Sequence, residues 1–129
     1  MKHRCIIMLK VIIAGGRDFA DYDKLRDACD EQLINAEEDI EIVSGGAKGV
    51  DTLGEQYAEE KGLEVKKFPA DWKGYGRAAG IIRNSQMADY GDMLIAFWDG
   101  KSKGTKNMIE TARKKQLQVS VVKYASNDD

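Results

Sequence analysis

A chain of 129 residues has the length of one ordinary domain, enough to bury roughly two-thirds of the surface its unfolded form exposes. Hydrophobic residues make up 43% and charged residues 33%, the balance of a soluble globular protein rather than a disordered or membrane-embedded one. The net charge of -2 gives no general attraction to polyanions, so a nucleic-acid contact would need a local basic patch.

Met1 to Arg4 and the apolar run Cys5 to Leu9 superficially resemble a signal peptide, but Lys10 interrupts the run and no small-residue cleavage pattern follows. No stretch approaches the roughly 20 apolar residues that span a bilayer, so a cytoplasmic protein without a membrane partner is expected. Residues 1–8 read as an N-terminal extension in which His3 has no role, with the folded domain starting near Met8. Residues 9–124 read as one domain and 125–129 as a frayed polar tail. Cys5 and Cys29 lack CxxC spacing and a nearby histidine, which predicts two buried reduced thiols and no metal site.

Leu9 to Ala14 is a continuous apolar run ending in Gly15-Gly16, the pattern of a central strand buried on both faces. From Tyr22 to Ala36 the residues Leu25, Ala28, Cys29, Gln32, Leu33 and Ala36 recur at helical spacing, with Asp21 as N-cap. Ile40 to Val43 forms a second strand, Lys48 to Lys61 a helix closed by Gly62, and Leu63 to Phe68 a third strand. Pro69 to Arg77 has glycine and aromatic residues without periodicity and reads as a long loop. A helix from about Ala78 to Tyr90, a strand from Asp92 to Trp98, a helix from Thr105 to Gln116 and a strand from Val119 to Tyr124 complete the chain. The alternation predicts an α/β Rossmann-like fold: a doubly wound parallel five-stranded sheet, order 3-2-1-4-5, with helices on both faces. Ligands bind such sheets at the switch point beside the first strand.

Three loops should face that crevice: Gly15-Gly16-Arg17-Asp18, Ser44-Gly45-Gly46-Ala47-Lys48-Gly49-Val50-Asp51 and Asp99 to Gly104-Thr105. Glycines let a backbone approach a ligand, and the N–H groups at a helix start attract an anion, so phosphate is the expected guest. Each loop read singly also fits a turn that merely relieves backbone strain. The Ser44 loop lacks both GK[ST] and GxGxxG, so neither an ATPase nor a dinucleotide enzyme follows, and no cofactor is implied. Lys48 sits where the helix dipole disfavours a cation, which hints at an external anion. Arg83-Asn84 lies in the first half of its helix, with Gly80, Asn84 and Met87 along one stripe. Lys48 and Arg83 are expected to converge on one phosphate. Trp72, Tyr75 and Trp98 stand where an aromatic could stack on a base, core burial being the competing account. Asp18, Asp51, Asp71 and Asp99 are the carboxylates at loop positions; Asp51 could instead cap its own helix.

The set Gly15-Gly16-Arg17-Asp18-Phe19, Ser44 to Thr52, Arg83-Asn84 with Met87-Ala88, and Gly104-Thr105 resembles the SLOG superfamily, more narrowly the small YspA branch of the YpsA-related SLOG proteins. The resemblance runs from Leu9 to Tyr124. It implies a homodimer that binds a nucleotide or a nucleotide-derived ligand such as an ADP-ribose relative, in sensing or in conflict between bacteria and phages. The related LONELY GUY phosphoribohydrolases cleave a nucleotide N-glycosidic bond with a PGGxGTxxE motif. Here Gly104-Thr105 is kept, Met108 stands in place of the glutamate, and Glu110 lies two residues further on. Hydrolysis would then fall to Asp51, Asp71 or Asp99. The Ser44 to Asp51 stretch also resembles the loop of the DNA-processing protein DprA, which implies single-stranded DNA as an alternative, less favoured partner, with Lys48, Arg77, Lys101 and Lys103 on phosphates.

Overall fold

The computed structural model describes residues 8–125. Strands β1 (Met8–Gly15), β2 (Asp39–Ser44), β3 (Glu64–Lys67), β4 (Met93–Trp98) and β5 (Gln118–Lys123) form one parallel sheet in the order β3-β2-β1-β4-β5, as expected. Helices α1 (Tyr22–Leu33), α2 (Val50–Lys61), α3 (Trp72–Tyr75), α4 (Ala79–Tyr90) and α5 (Lys103–Lys114) connect them. The apolar run of β1 explains its central place. Val11 pairs with Ile42 on one side and Met93 on the other, and Val11, Ile12 and Ile13 are wholly buried. Burying each such side chain stabilises the fold by about 1.5–3 kcal/mol.

Strand alternation sends Val11 and Ile13 into one layer with Leu25, Cys29 and Leu33 of α1 and Val50, Tyr57 and Ala58 of α2. Ile12 and Ala14 pack in the other layer with Met87 and Ala88 of α4 and Met108, Ile109 and Ala112 of α5. Helices therefore cover both faces, and the chain changes side between β1 and β4. Cys29 is a buried free thiol, pushed up to about 12 by burial. Cys5, His3 and the tail from residue 126 lie outside the described residues.

Several boundaries differ from the periodic pattern. Helix α1 is capped by Asp21, whose Oδ1 accepts from the Lys24 amide at 3.1 Å, but it ends at Leu33 and leaves Gln32 exposed and Ala36 outside. With Ile34 76% exposed, no buried side chain carries that helix further. Helix α2 starts at Val50, so Lys48 lies in the preceding turn, while Gly62 closes α2 as expected. Helix α5 starts at Lys103 because Ser102 caps it, which puts Gly104-Thr105 inside its first turn; it ends at Lys114 rather than Gln116. The stretch Pro69 to Arg77 is not all loop: it contains α3 and opens a 3-10 turn, Gly76–Ala78. One helical turn is too short for periodicity to reveal. What nucleates it is Asp71, whose Oδ1 accepts from the Gly74 amide at 2.9 Å.

Candidate functional site

The turn after β1 is tied down on both sides. The Gly16 amide donates to the Phe97 carbonyl of β4, and the Gly16 carbonyl accepts from the Val50 amide at the start of α2, both at 3.2 Å. Phe19 packs beneath, its ring 5.3 Å from that of Phe97 and 4.8 Å from that of Tyr124. The Tyr124 hydroxyl donates to Asp18 Oδ1 at 2.7 Å, and burial, reinforced by that carboxylate, pushes the phenol upward. Arg17 stands exposed at the tip.

The Ser44 loop is folded on itself. Ser44 Oγ donates to Glu55 Oε2 at 2.7 Å and accepts from the Gly46 amide at 3.1 Å. Asp51 Oδ2 accepts from the Ala47 amide at 3.1 Å, and Thr52 Oγ1 donates to the Ala47 carbonyl at 3.0 Å. Gly49 has φ 78°, and a Cβ there would collide with the Gly16 carbonyl, so only glycine lets the two turns meet. Of the glycines expected to offer N–H groups, Gly16 and Gly46 already donate within the protein, as do Ala47 and Val50. Nor does Asp51 cap α2, since Gly49 holds the cap position without a side-chain bond. Burial raises the Asp51 pKa, opposed by the Ala47 amide and by Arg83.

Helix α4 brings Arg83 against this loop. Its Nη1 donates to the Gly45 carbonyl at 2.7 Å and its Nε to Asn84 Oδ1 at 3.1 Å. Asn84, 6% exposed, donates through Nδ2 to Asn107 Oδ1 of α5 at 3.0 Å. Burial lowers the Arg83 pKa while Asp51 sustains its charge. Across the gap, Asp99 Oδ1 accepts from the Lys101 and Ser102 amides, both at 2.8 Å, and these bonds hold its carboxyl below the usual range. Ser102 Oγ then caps α5 by accepting from Thr105 N at 3.3 Å.

Between these walls lies a crevice of about 600 Å³, within the range of small-molecule sites. Of the residues expected to bind ligand, it is lined by Gly15, Gly16, Arg17, Asp18, Ala47, Asp51, Trp72, Arg83, Asn84, Asp99, Gly104 and Thr105. Ser44, Gly45, Gly46, Lys48, Gly49 and Asp71 are not among its lining residues. Lys48 is exposed and does not join Arg83 there. Trp98 is likewise outside: its Nε1–H donates to the Ser102 carbonyl at 3.0 Å and its ring sits against the second core layer and under Lys123. Gly80, Asn84 and Met87 all line the crevice, as their stripe predicted.

Sequence reasoning missed Ile81, Ser102 and Asn107 as lining residues, and placed Arg77 and Lys103 only on a DNA path. Ser102 was legible as an N-cap before an amphipathic helix; Asn107 was not, because its partner Asn84 is on another helix. Also missed was a segregation of charge. From Asp21 to Glu64 there are fourteen carboxylates and four cations, and from Lys66 to Lys123 twelve cations and five carboxylates. Since α1 and α2 cover one face and α4 and α5 the other, the α1–α2 layer is acidic and the α4–α5 layer basic. Among the described residues, no group of three histidine, cysteine, aspartate or glutamate side chains is placed to hold a metal, and no helix is long and apolar enough to cross a membrane.

A parallel sheet in this order with a polar crevice at its switch point defines a Rossmann-like domain. The chain belongs to the YspA, cpYpsA-related SLOG family, whose model matches residues 9–75. It is 32% identical over 118 residues to the Gene 61 protein of Mycobacterium phage D29, covering 87% of this chain and 94% of that protein. Several solved structures share the fold, among them two DNA processing proteins. DNA processing protein A of Streptococcus pneumoniae superposes with a TM-score of 0.71 at 18% identity; 94% of this chain matches 52% of that one, so the chain spans about half its length. DNA processing protein A of Helicobacter pylori, described for its single-stranded DNA binding mode, gives a TM-score of 0.65 at 22% identity over 92% of this chain and 67% of that one.

Proposed function

We propose that this protein binds a nucleotide or nucleotide-derived ligand, such as an ADP-ribose relative, in the crevice, and senses or sequesters it in the cytoplasm. The observation that carries this reading is the wall itself: Arg17, Arg77, Arg83 and Lys103 converge on a nucleotide-sized crevice that also takes in the first turn of α5 and the half-exposed Trp72. The dipole of α5 and these cations favour an anionic group, and Trp72 a planar ring. Hydrolysis is disfavoured by the occupations of the carboxylates. Asp51 and Asp99 hold backbone amides, Asp71 caps α3, and the buried Met108 sits in the wall where the hydrolase motif has glutamate. Calorimetric titration with AMP, ADP and ADP-ribose should detect binding, and chromatography should detect no free adenine at a turnover of about 1 per second or more. Adenine released at that rate overturns the binding-only reading.

A second reading, single-stranded DNA, is favoured by one feature: Arg77 and Lys103 line the crevice with the half-exposed Trp72, and Lys73, Lys101 and Lys106 are exposed on the segments that carry them. A basic face of this kind overrides the weak net charge. Affinity for an oligonucleotide that falls steeply with salt, while AMP and ADP-ribose fail to compete, would replace the first reading by this one.

A further inference from the structure

The segment from Asp71 to Ala78 differs from every other piece of the crevice wall. All eight residues are exposed, and neither α3 nor the 3-10 turn contributes a buried side chain. Its first turn is closed internally by the Asp71 cap on Gly74, and at its end it continues into α4, whose Ala79 is buried. Between the two parts stands Gly76, at φ 58° and ψ -131°, a conformation that other residues adopt only under strain. From this exposed piece two side chains enter the wall: Trp72, 52% exposed, and Arg77. The outer edge of the Trp72 ring lies over Gly80 of α4, where a Cβ would stand 3.6 Å from Cη2. Trp72 shares the crevice wall with Ile81, 58% exposed, so the wall carries apolar surface that a planar ring could cover.

We propose that residues 71–78 form a clamp, hinged at Gly76, that stacks Trp72 on the heteroaromatic ring of the ligand and carries Arg77 toward its anionic part. This rests on the crevice being a nucleotide site and deepens it by naming the recognised parts. The ring is read by the clamp, and the anion by the fixed wall of Arg17, Arg83 and the first turn of α5. The ligand class is therefore one in which a planar base and a phosphate are joined by a spacer, rather than a bare phosphate or a sugar phosphate. No polar side chain of the clamp other than Arg77 lines the crevice, so stacking would tolerate different bases.

The experiment uses AMP, ADP and ADP-ribose, with inorganic pyrophosphate as an anion that has no ring. Tryptophan fluorescence and calorimetry are followed together in the wild type, Trp72→Phe, Trp72→Ala and Gly76→Ala. The expected result is a fluorescence change with the nucleotides and not with pyrophosphate, lost in Trp72→Phe although that variant still binds. Trp72→Ala should weaken nucleotide binding by about tenfold or more, the scale of one base–aromatic stack, while leaving pyrophosphate within about twofold. Gly76→Ala should also weaken the nucleotides, because a side chain at this backbone conformation strains the hinge that places Trp72 and Arg77. The clamp is overturned if the nucleotides bind but Trp72→Ala does not weaken them, or if the fluorescence change persists in Trp72→Phe. If calorimetry finds none of the three nucleotides bound to the wild type, the nucleotide site falls and the clamp with it.

Discussion

The loop after β2 and the loop after β4 look alike on paper, each with glycines and a polar residue ahead of a helix, yet they do opposite work. In the Ser44 loop the amides of Gly46, Ala47 and Val50 are occupied by Ser44, Asp51 and Gly16, and the Gly45 carbonyl accepts from Arg83. It is a buttress. In the Asp99 loop the carboxylate of Asp99 gathers Lys101 and Ser102 so that Lys103, Gly104 and Thr105 face the crevice. A glycine-rich loop at the end of a parallel strand can thus serve a ligand at one remove, by holding the arginine that would meet it.

If the Ser44 loop is a buttress, its substitutions should act on folding. Gly49→Ala combines a left-handed backbone with a collision against the Gly16 carbonyl, and should cost at least about 2 kcal/mol in urea unfolding. A loss below about 0.5 kcal/mol would mean the two turns are not locked together.

The next effect separates the arginine from the loop that holds it. Arg83→Ala should weaken nucleotide binding by about 1.5–3 kcal/mol, the range for hydrogen bonds to charged groups, whereas Lys48→Ala, outside the crevice wall, should leave calorimetric affinity unchanged. Equal losses in both would restore the Ser44 loop as a ligand cradle and break the comparison.

The smallest effect is a pH dependence. Burial raises the Asp51 pKa in the folded state above its usual 3.8, so the folded protein takes up this proton more readily than the unfolded chain. The charge therefore opposes folding above the folded-state pKa, and the opposition fades as pH falls toward 3.8. Asp51→Asn lacks this dependence and keeps an acceptor for Ala47. Between pH 7 and pH 4 the difference in urea stability should accordingly move in favour of the wild type. Movement the other way would show that Arg83 and Arg17 outweigh burial and that the carboxylate is a net stabilising charge.

The sequence by itself determined the five strands, their order and the presence of helices on both faces. Those follow from local patterns: an apolar run for a doubly buried strand, helical spacing of apolar residues, Asp21 and Gly62 at helix ends, and the handedness of crossovers. It also brought Arg17, Asp99 and Thr105 to the right end of the sheet, because topology alone delivers the ends of β1 and β4 there. What only the tertiary structure decided is which groups are occupied. Arg83 finds Gly45, Val50 finds Gly16 and Tyr124 finds Asp18 across separations of 34 to 106 residues that no periodicity encodes. Hence Lys48 and Trp98, sound candidates by position, stand outside the crevice, and α3, a single turn fixed by one aspartate, emerges from what reads as a loop. A polar group's role is set by the partner nearest it in space, and that partner is chosen only when the sheet and both helical layers are assembled.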